Sequence, residues 1–144
     1  MPGAETFRAS ADPYDRLVGR YGTQLASALI DFAGLQPGMR ALDVGCGPGA
    51  DGCARGPARA ASVGATDPPE PFVEACRARL PGIDVVVGAA EAVPLGDGTF
   101  DATLSQLVVN FMSDAEAGVR EMGRVTRRAQ AGSSPRASGI TRAR

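Results

Sequence analysis

Residues 41–49 read Ala41-Leu42-Asp43-Val44-Gly45-Cys46-Gly47-Pro48-Gly49, and the reading of the whole chain starts from them. Residues 40–44, RALDV, read as a short strand with Asp43 near its end. Gly45 to Gly49 is a glycine-rich turn, where a missing Cβ lets the backbone approach a ligand closely. A helix after such a turn offers unpaired N–H groups and partial positive charge to that ligand. Asp67 ends a second strand-like run, twenty-two residues beyond Gly45. A carboxylate there can accept hydrogen bonds from two vicinal ribose hydroxyls. The combination predicts an adenosine-bearing ligand at the carboxyl ends of parallel strands. Gly45, Gly47 and Ala50 also satisfy the dinucleotide pattern G-x-G-x-x-G/A, so the glycines alone leave an NAD(P)-binding oxidoreductase open.

Outward from this turn, strands and helices alternate. Apolar residues at 14, 17, 18, 21, 25, 28, 29 and 32 predict one face of a leading amphipathic helix, with Gly34 beyond its end. Strands are predicted at 40–44, 62–66, 83–87 and 100–105. Pro68, Pro69 and Pro71 introduce a helix carrying Phe72, Val73, Cys76 and Leu80 on one face, and Pro81-Gly82 stops it. Ser113-Asp114-Ala115-Glu116 has the form of a capping box for a last helix. That helix should turn Val119, Met122 and Val125 inward and Arg120, Arg124, Arg127 and Arg128 outward. Alternation of this kind predicts an α/β protein with a Rossmann-like parallel sheet and right-handed crossovers. The expected organisation is a helical segment at 1–34, a ligand-binding domain at 35–128 and a basic tail at 129–144.

Composition narrows the chemistry. All 15 basic residues among the 144 are Arg, with no Lys and no His. That excludes a His general base, a Ser-His-Asp triad, a Schiff-base lysine and a P-loop lysine from these residues. Cys46, Cys53 and Cys76 match no zinc spacing and have no His to complete a site, so no metal is expected. Free thiols suit a reducing cytoplasm. No signal peptide and no membrane span are read. Residues 1–118 carry eight Arg against fifteen acids, and 119–144 carry seven Arg against one Glu. The basic end has no interleaved aromatics, so nucleic acid is not the expected partner. Of the 63 apolar residues 25 are Ala, so the core is small.

The segment LDVGCGPG, with an acid before the glycines and Gly49 two after Gly47, resembles motif I of the class I S-adenosylmethionine-dependent methyltransferases. DPPEPFVEACRARLPG at 67–82 resembles their second-strand acid and following helix. GAAEAVPLGDGTFDATLS at 88–105 resembles their adenine loop, and NFMSDAEAGVREMGRVTR at 110–127 the helix after the fourth strand. The resemblance covers roughly 14–128, with order and spacing kept, and is nearest to the small-molecule branch that includes quinone-biosynthesis enzymes. It implies S-adenosyl-L-methionine as cofactor and a small-molecule acceptor. It implies strand order 3-2-1-4, with strands five to seven of the family missing. Gly45, Cys46, Gly47 and Gly49 would line the methionine and ribose end. Asp43 would help hold the amino group, and Asp67 the ribose hydroxyls. Ala90 and Glu91 would border the adenine, and Ser105 and Gln106 would face the methionine moiety. Tyr14 and Arg20 on the leading helix would close over the site. No residue is assigned as a general base.

Three features depart from the family. Ala89 stands where an acid often recognises the adenine amino group. Residues 50–61, ADGCARGPARAA, contain Gly52, Gly56 and Pro57 and no Leu, Ile or Val, although a helix is due there. Residues 129–144 carry Ile140 as their only large apolar residue, where the family continues with a Pro-Gly-Gly turn and a fifth strand. A non-catalytic cofactor-binding fragment is therefore a third reading. Self-association through the exposed fourth strand is expected of it. Translation out of frame over about 51–61 and again after 128 accounts for both stretches. Reading the coding DNA in its other two frames should yield an apolar helix at the first and a Pro-Gly-Gly turn with a strand at the second. Neither frame doing so would sink the idea.

Overall fold

A computed structural model describes residues 19–49 and 62–128. The helix expected at 50–61, the start of the leading helix at 14–18 and the tail at 129–144 lie outside the described residues. The described elements are helix α1 (Gly19–Ala33), strand β1 (Arg40–Val44), strand β2 (Ser62–Asp67), helix α2 (Glu70–Arg79), strand β3 (Asp84–Val87), strand β4 (Ala102–Leu104) and helix α3 (Ala115–Val125). Short 3-10 turns occupy Ala90–Ala92 and Val109–Phe111. The four strands form one parallel sheet in the order β3-β2-β1-β4, as the sequence predicts. No helix among the described residues is long and apolar enough to cross a membrane.

β1 is central, and the alternation of its residues builds the core on both faces. Leu42 and Val44 join Val93, Phe100, Met122 and Val125 in one apolar cluster. Ala41 joins Ala26, Ile30, Ala33, Ala102 and Leu104 in another. A third cluster sets Cys46, Ala65 and Val85 against Val73 and Cys76 of α2. Register fixes the carboxyl end of the sheet: Asp43 pairs with Ala65 and Leu104, and Val44 pairs with Thr66. Gly64 on β2 packs tightly: a Cβ there would stand 3.3 Å from the Phe100 ring, which would have to give slightly.

Several boundaries differ from the sequence expectation, each for a visible reason. β4 is shorter than 100–105. Phe100 leaves the ladder because its N–H donates to the Val125 carbonyl and its carbonyl accepts from Arg127 N–H. Ile83 stays outside β3 because its N–H closes a turn onto the Leu80 carbonyl. The buried side of α1 carries Gly22, Ala26, Ile30 and Ala33, while Leu25 and Phe32 are exposed. Ala26, Ile30 and Ala33 share an apolar cluster with Ala41, Ala102 and Leu104, so the packed stripe is rotated from the one formed by the largest side chains. On α3, Val119 is exposed and Gly118 is buried beneath Met112. The cap of α3 is Asp114, whose carboxylate accepts from Ala117 N–H. Glu116 pairs with Arg120 rather than closing a capping box.

Arg124 of α3 does not point idly outward. Its guanidinium donates to the Val93 and Leu95 carbonyls at 2.8 and 2.9 Å and pairs with Glu121 and Asp97. Glu121 in turn accepts from Val93 N–H at 2.9 Å. These bonds fasten the 93–97 loop to α3. Arg124→Ala should therefore cost about 1.5–3 kcal/mol in urea unfolding, the scale of lost hydrogen bonds from a charged group. Asp97→Ala removes only a solvent-facing partner and should cost about 0.5 kcal/mol or less. Equal losses for the two would show that the carbonyl contacts carry no stability.

Candidate functional site

The glycine turn leaves β1 with Gly45, Gly47 and Gly49 all at positive φ (81°, 58° and 80°). It is drawn toward β2, because the N–H groups of Gly45 and Cys46 both donate to the Thr66 carbonyl, at 2.8 and 3.0 Å. The next residue of β2 completes the attachment: Asp67 Oδ2 accepts from Gly47 N–H at 2.9 Å. The glycines differ in what they allow. A Cβ on Gly45 would stand 2.5 Å from a Val108 methyl. A Cβ on Gly49 would stand 3.0 Å from Cys76 Sγ. Gly45 thus admits the 107–112 segment to the turn, and Gly49 admits α2.

A cavity of about 380 Å³ opens above this attachment. Gly45, Gly47 and Asp67 form its base. Pro68, Pro69 and Phe72 make one wall, and Ala89, Ala90 and Glu91 another. The third wall is the segment after β4, with Leu107, Val108, Asn110, Phe111, Met112 and Ser113. The lining is mostly apolar with a few polar groups, the usual constitution of a small-molecule site. Leu107 holds φ at 58°, an uncommon conformation for a branched apolar residue. That turn brings Val108 onto Gly45.

Of the residues expected to form the site, Gly45, Gly47, Asp67, Ala90 and Glu91 line the cavity. Five others lie outside its lining. Cys46 is buried in the α2 cluster and its thiol donates to the Gly47 carbonyl at 3.4 Å. Gly49 packs on α2, as above. Asp43 is buried on β1 at 2% exposure. Ser105 is buried, and Gln106 Nε2 donates to the Gly22 carbonyl of α1 at 3.0 Å. Tyr14 and the side chain of Arg20 fall outside what is described. The Glu91 carboxylate is already engaged: Oε1 accepts from Ser113 N–H at 2.6 Å and Asp114 N–H at 3.2 Å. It ties two walls of the cavity together. Of the 107–113 wall, residues 110–113 open the segment that resembles the family's helix after the fourth strand, and Leu107 and Val108 carry no sequence signal of a site role.

Asp67 is the electrostatic centre. It is 8% exposed, and burial pushes its carboxyl up to about 6 while the Gly47 N–H pulls the other way. Besides Gly47 N–H, no hydrogen bond from another described residue reaches its carboxylate. The groups able to hold a cofactor are thus a partly satisfied carboxylate, the glycine backbone and apolar walls. Among the described residues no cluster of side chains suits a metal ion.

The sequence profile of the family described as methyltransferase domain matches residues 42–130. The malonyl-[acyl-carrier protein] O-methyltransferase of Serratia marcescens is 32% identical over 126 residues, covering 83% of this chain and 49% of the relative. The demethylmenaquinone methyltransferase of Beutenbergia cavernae is 36% identical over 103 residues, 69% of this chain and 41% of the relative. The chain spans less than half the length of these curated relatives. Among solved structures, a SAM-dependent methyltransferase from Thermotoga maritima superposes with a TM-score of 0.65 at 27% identity, covering 85% of this chain and 55% of that one.

The raised Asp67 gives a signed prediction. In the folded chain burial pushes this carboxyl up to about 6, from an ordinary value of 3.8. Between those values the folded state binds more protons than the unfolded state, so stability falls as pH rises and the full cost is present above pH 6. Asp67→Asn keeps an acceptor for Gly47 N–H and has no charge to bury. It should raise unfolding free energy at pH 7.5 by up to ~3 kcal/mol and flatten the acidic limb of the stability profile. A variant less stable than the parent at pH 7.5 would mean that the charge is compensated.

Proposed function

The chain belongs to the methyltransferase domain family, and on that premise we propose that it binds S-adenosyl-L-methionine and serves methyl transfer to a small-molecule acceptor in the cytoplasm. The observation that carries the reading is the Asp67 carboxylate, fixed through one oxygen by Gly47 N–H at the base of the cavity. Its second oxygen is left for ribose hydroxyls. S-adenosylmethionine supplies a methyl group already activated on a sulfonium. Gly47 gives the ligand close access to the backbone, while Gly45 seats Val108 beside it. Ala89, Ala90, Pro68, Pro69 and Phe72 offer apolar surface for a base. Glu91 acts by holding Ser113 and Asp114 in place, so it borders the base without being spare for it. Asp43, Cys46, Gly49, Ser105 and Gln106 support the turn and its surroundings.

Acceleration of methyl transfer needs alignment and exclusion of water more than acid–base groups. The ionisable residues of the described lining are Asp67 and Glu91, both already bonded to backbone N–H groups. The proposal therefore assigns no general base, and favours an acceptor whose reacting atom is already nucleophilic. β4 has a partner strand on one side only among the described residues. That supports self-association through its outer edge.

Calorimetry of the full chain with S-adenosylhomocysteine against NAD tests the proposal. Binding of the first and not the second is expected. Asp67→Ala should weaken it by about 1.5–3 kcal/mol, the scale of charge-assisted hydrogen bonds. Affinity should rise with pH through about 6, as Asp67 loses its proton and becomes a pure acceptor. Tighter binding of NAD, or an affinity indifferent to Asp67, would overturn the assignment.

A further inference from the structure

The cavity walls on either side of Asp67 are poor in groups that could read a ligand by hydrogen bonding. Pro68, Pro69 and Phe72 stand on one side, and Ala89 and Ala90 on the other. Proline lacks an N–H, and the side chains of Phe72, Ala89 and Ala90 carry no polar atom. Backbone carbonyls of these walls are already in use. The Asp67 carbonyl accepts from Gly88 N–H at 3.1 Å, that of Pro69 from Phe72 and Val73 N–H at 3.0 and 3.2 Å, and that of Ala89 from Ala92 N–H at 3.1 Å. Glu91 borders the second wall, with Oε1 committed to Ser113 and Asp114 N–H. Asn110 and Ser113, the other polar side chains of the described lining, belong to the wall after β4.

We propose that the site selects its ligand by the ribose and by the flat face of the ring, and leaves the exocyclic amino group of adenine unread. Its ligands are then sulfonium and thioether derivatives of purine ribosides as a class, rather than the adenine compounds alone. The proposal rests on the S-adenosylmethionine reading and names the ligand class of that same site.

The amino group of adenine is a hydrogen-bond donor, so only an acceptor aimed at it can tell adenine from a purine without it. A site built to bond such a group rejects the analogue lacking it by orders of magnitude, because its own buried acceptor is left unpaired. An apolar slot leaves nothing unpaired. Pro68 is exposed, and Pro69 and Ala89 are half-buried, so the slot opens to water at its rim. An amino group at that rim stays hydrated and adds little to affinity. The ribose is a different case. Asp67 is buried, and hydroxyls that reach its carboxylate make charge-assisted bonds away from bulk water.

Calorimetric titration of the full chain compares S-adenosylhomocysteine with two analogues. One carries unsubstituted purine, with hydrogen in place of the amino group and every ring nitrogen kept. The other carries adenine on 2′-deoxyribose. The purine analogue should bind within about fivefold of S-adenosylhomocysteine, no more than the worth of one ordinary hydrogen bond. The deoxy analogue should bind at least about tenfold more weakly, the scale of a charge-assisted bond. Ala89→Asp puts a carboxylate on the slot wall and should create the missing preference, raising the ratio of adenine to purine affinity above about fivefold. A purine analogue bound more weakly than that by the parent chain would overturn the proposal, whichever acceptor were responsible, Glu91 included. A smaller loss for the deoxy analogue would overturn the ribose half of it. An Ala89→Asp chain that binds S-adenosylhomocysteine with an unchanged ratio would place the ring against another wall and would also overturn it. A chain that binds no S-adenosylhomocysteine defeats the functional reading, and this inference with it. One that binds it and rejects the purine analogue leaves the functional reading standing and defeats this inference alone.

Discussion

One backbone N–H on one buried carboxylate governs the site. The Gly47 bond to Asp67 joins the turn after β1 to the end of β2, beside the two bonds that Gly45 and Cys46 make to the Thr66 carbonyl. Neighbouring parallel strands end at the same level, so three N–H groups of the turn find acceptors in two consecutive residues. Those N–H groups would otherwise be buried orphans, each costing its desolvation. The turn is therefore held by satisfying its own backbone. The carboxylate that completes this satisfaction is also the group most suited to grip a ribose.

The facing wall is held by different means. It is a connection of little regular structure, and side chains from elsewhere supply its order. Glu91 spans to Ser113 and Asp114. Glu121 and Arg124 fasten 93–97 to α3. Gln106 ties the end of β4 back to α1. Leu107 accepts an unfavourable φ so that Val108 can reach Gly45. Strain of this sort persists where the surroundings over-determine a conformation, and it concentrates beside ligand sites.

The sheet was legible in the sequence because two independent signals agreed there. The run at 40–44 sets Leu42 and Val44 on one face and Ala41 on the other, and Ala41 to Val44 are all buried. Proline and glycine marked the bounds of α2. Strand ends differ where backbone groups of Phe100 and Ile83 find partners outside the ladder, and the helix faces differ because side-chain size is a poor guide to burial. Leu25, Phe32 and Val119 are large and exposed, while Gly22, Ala26 and Gly118 are small and packed. Close approach of a helix selects small residues, and a periodicity read from Leu and Phe misses that. In the site, the glycines and Asp67 announced themselves by spacing. The roles of Cys46, Gly49 and Glu91 depended on neighbours distant in sequence, such as Cys76 and Ser113, and spacing carries no information about those.

Asp67 also explains why a site of this type resists optimisation for stability. Its ionised form is costly to bury, and a neutral isostere would keep the Gly47 bond without that cost. The expense makes sense only if the charge meets something absent from the free chain. A ligand hydroxyl donating to the second oxygen would recover part of the lost hydration, and would do so most strongly for the ionised form. Ligand and proton would then compete for one carboxylate, which would link binding to proton release at pH values near 6. On the proposed reading the free fold carries the penalty and the complex would relieve it. Local rules of folding are violated here in the direction expected of a functional residue.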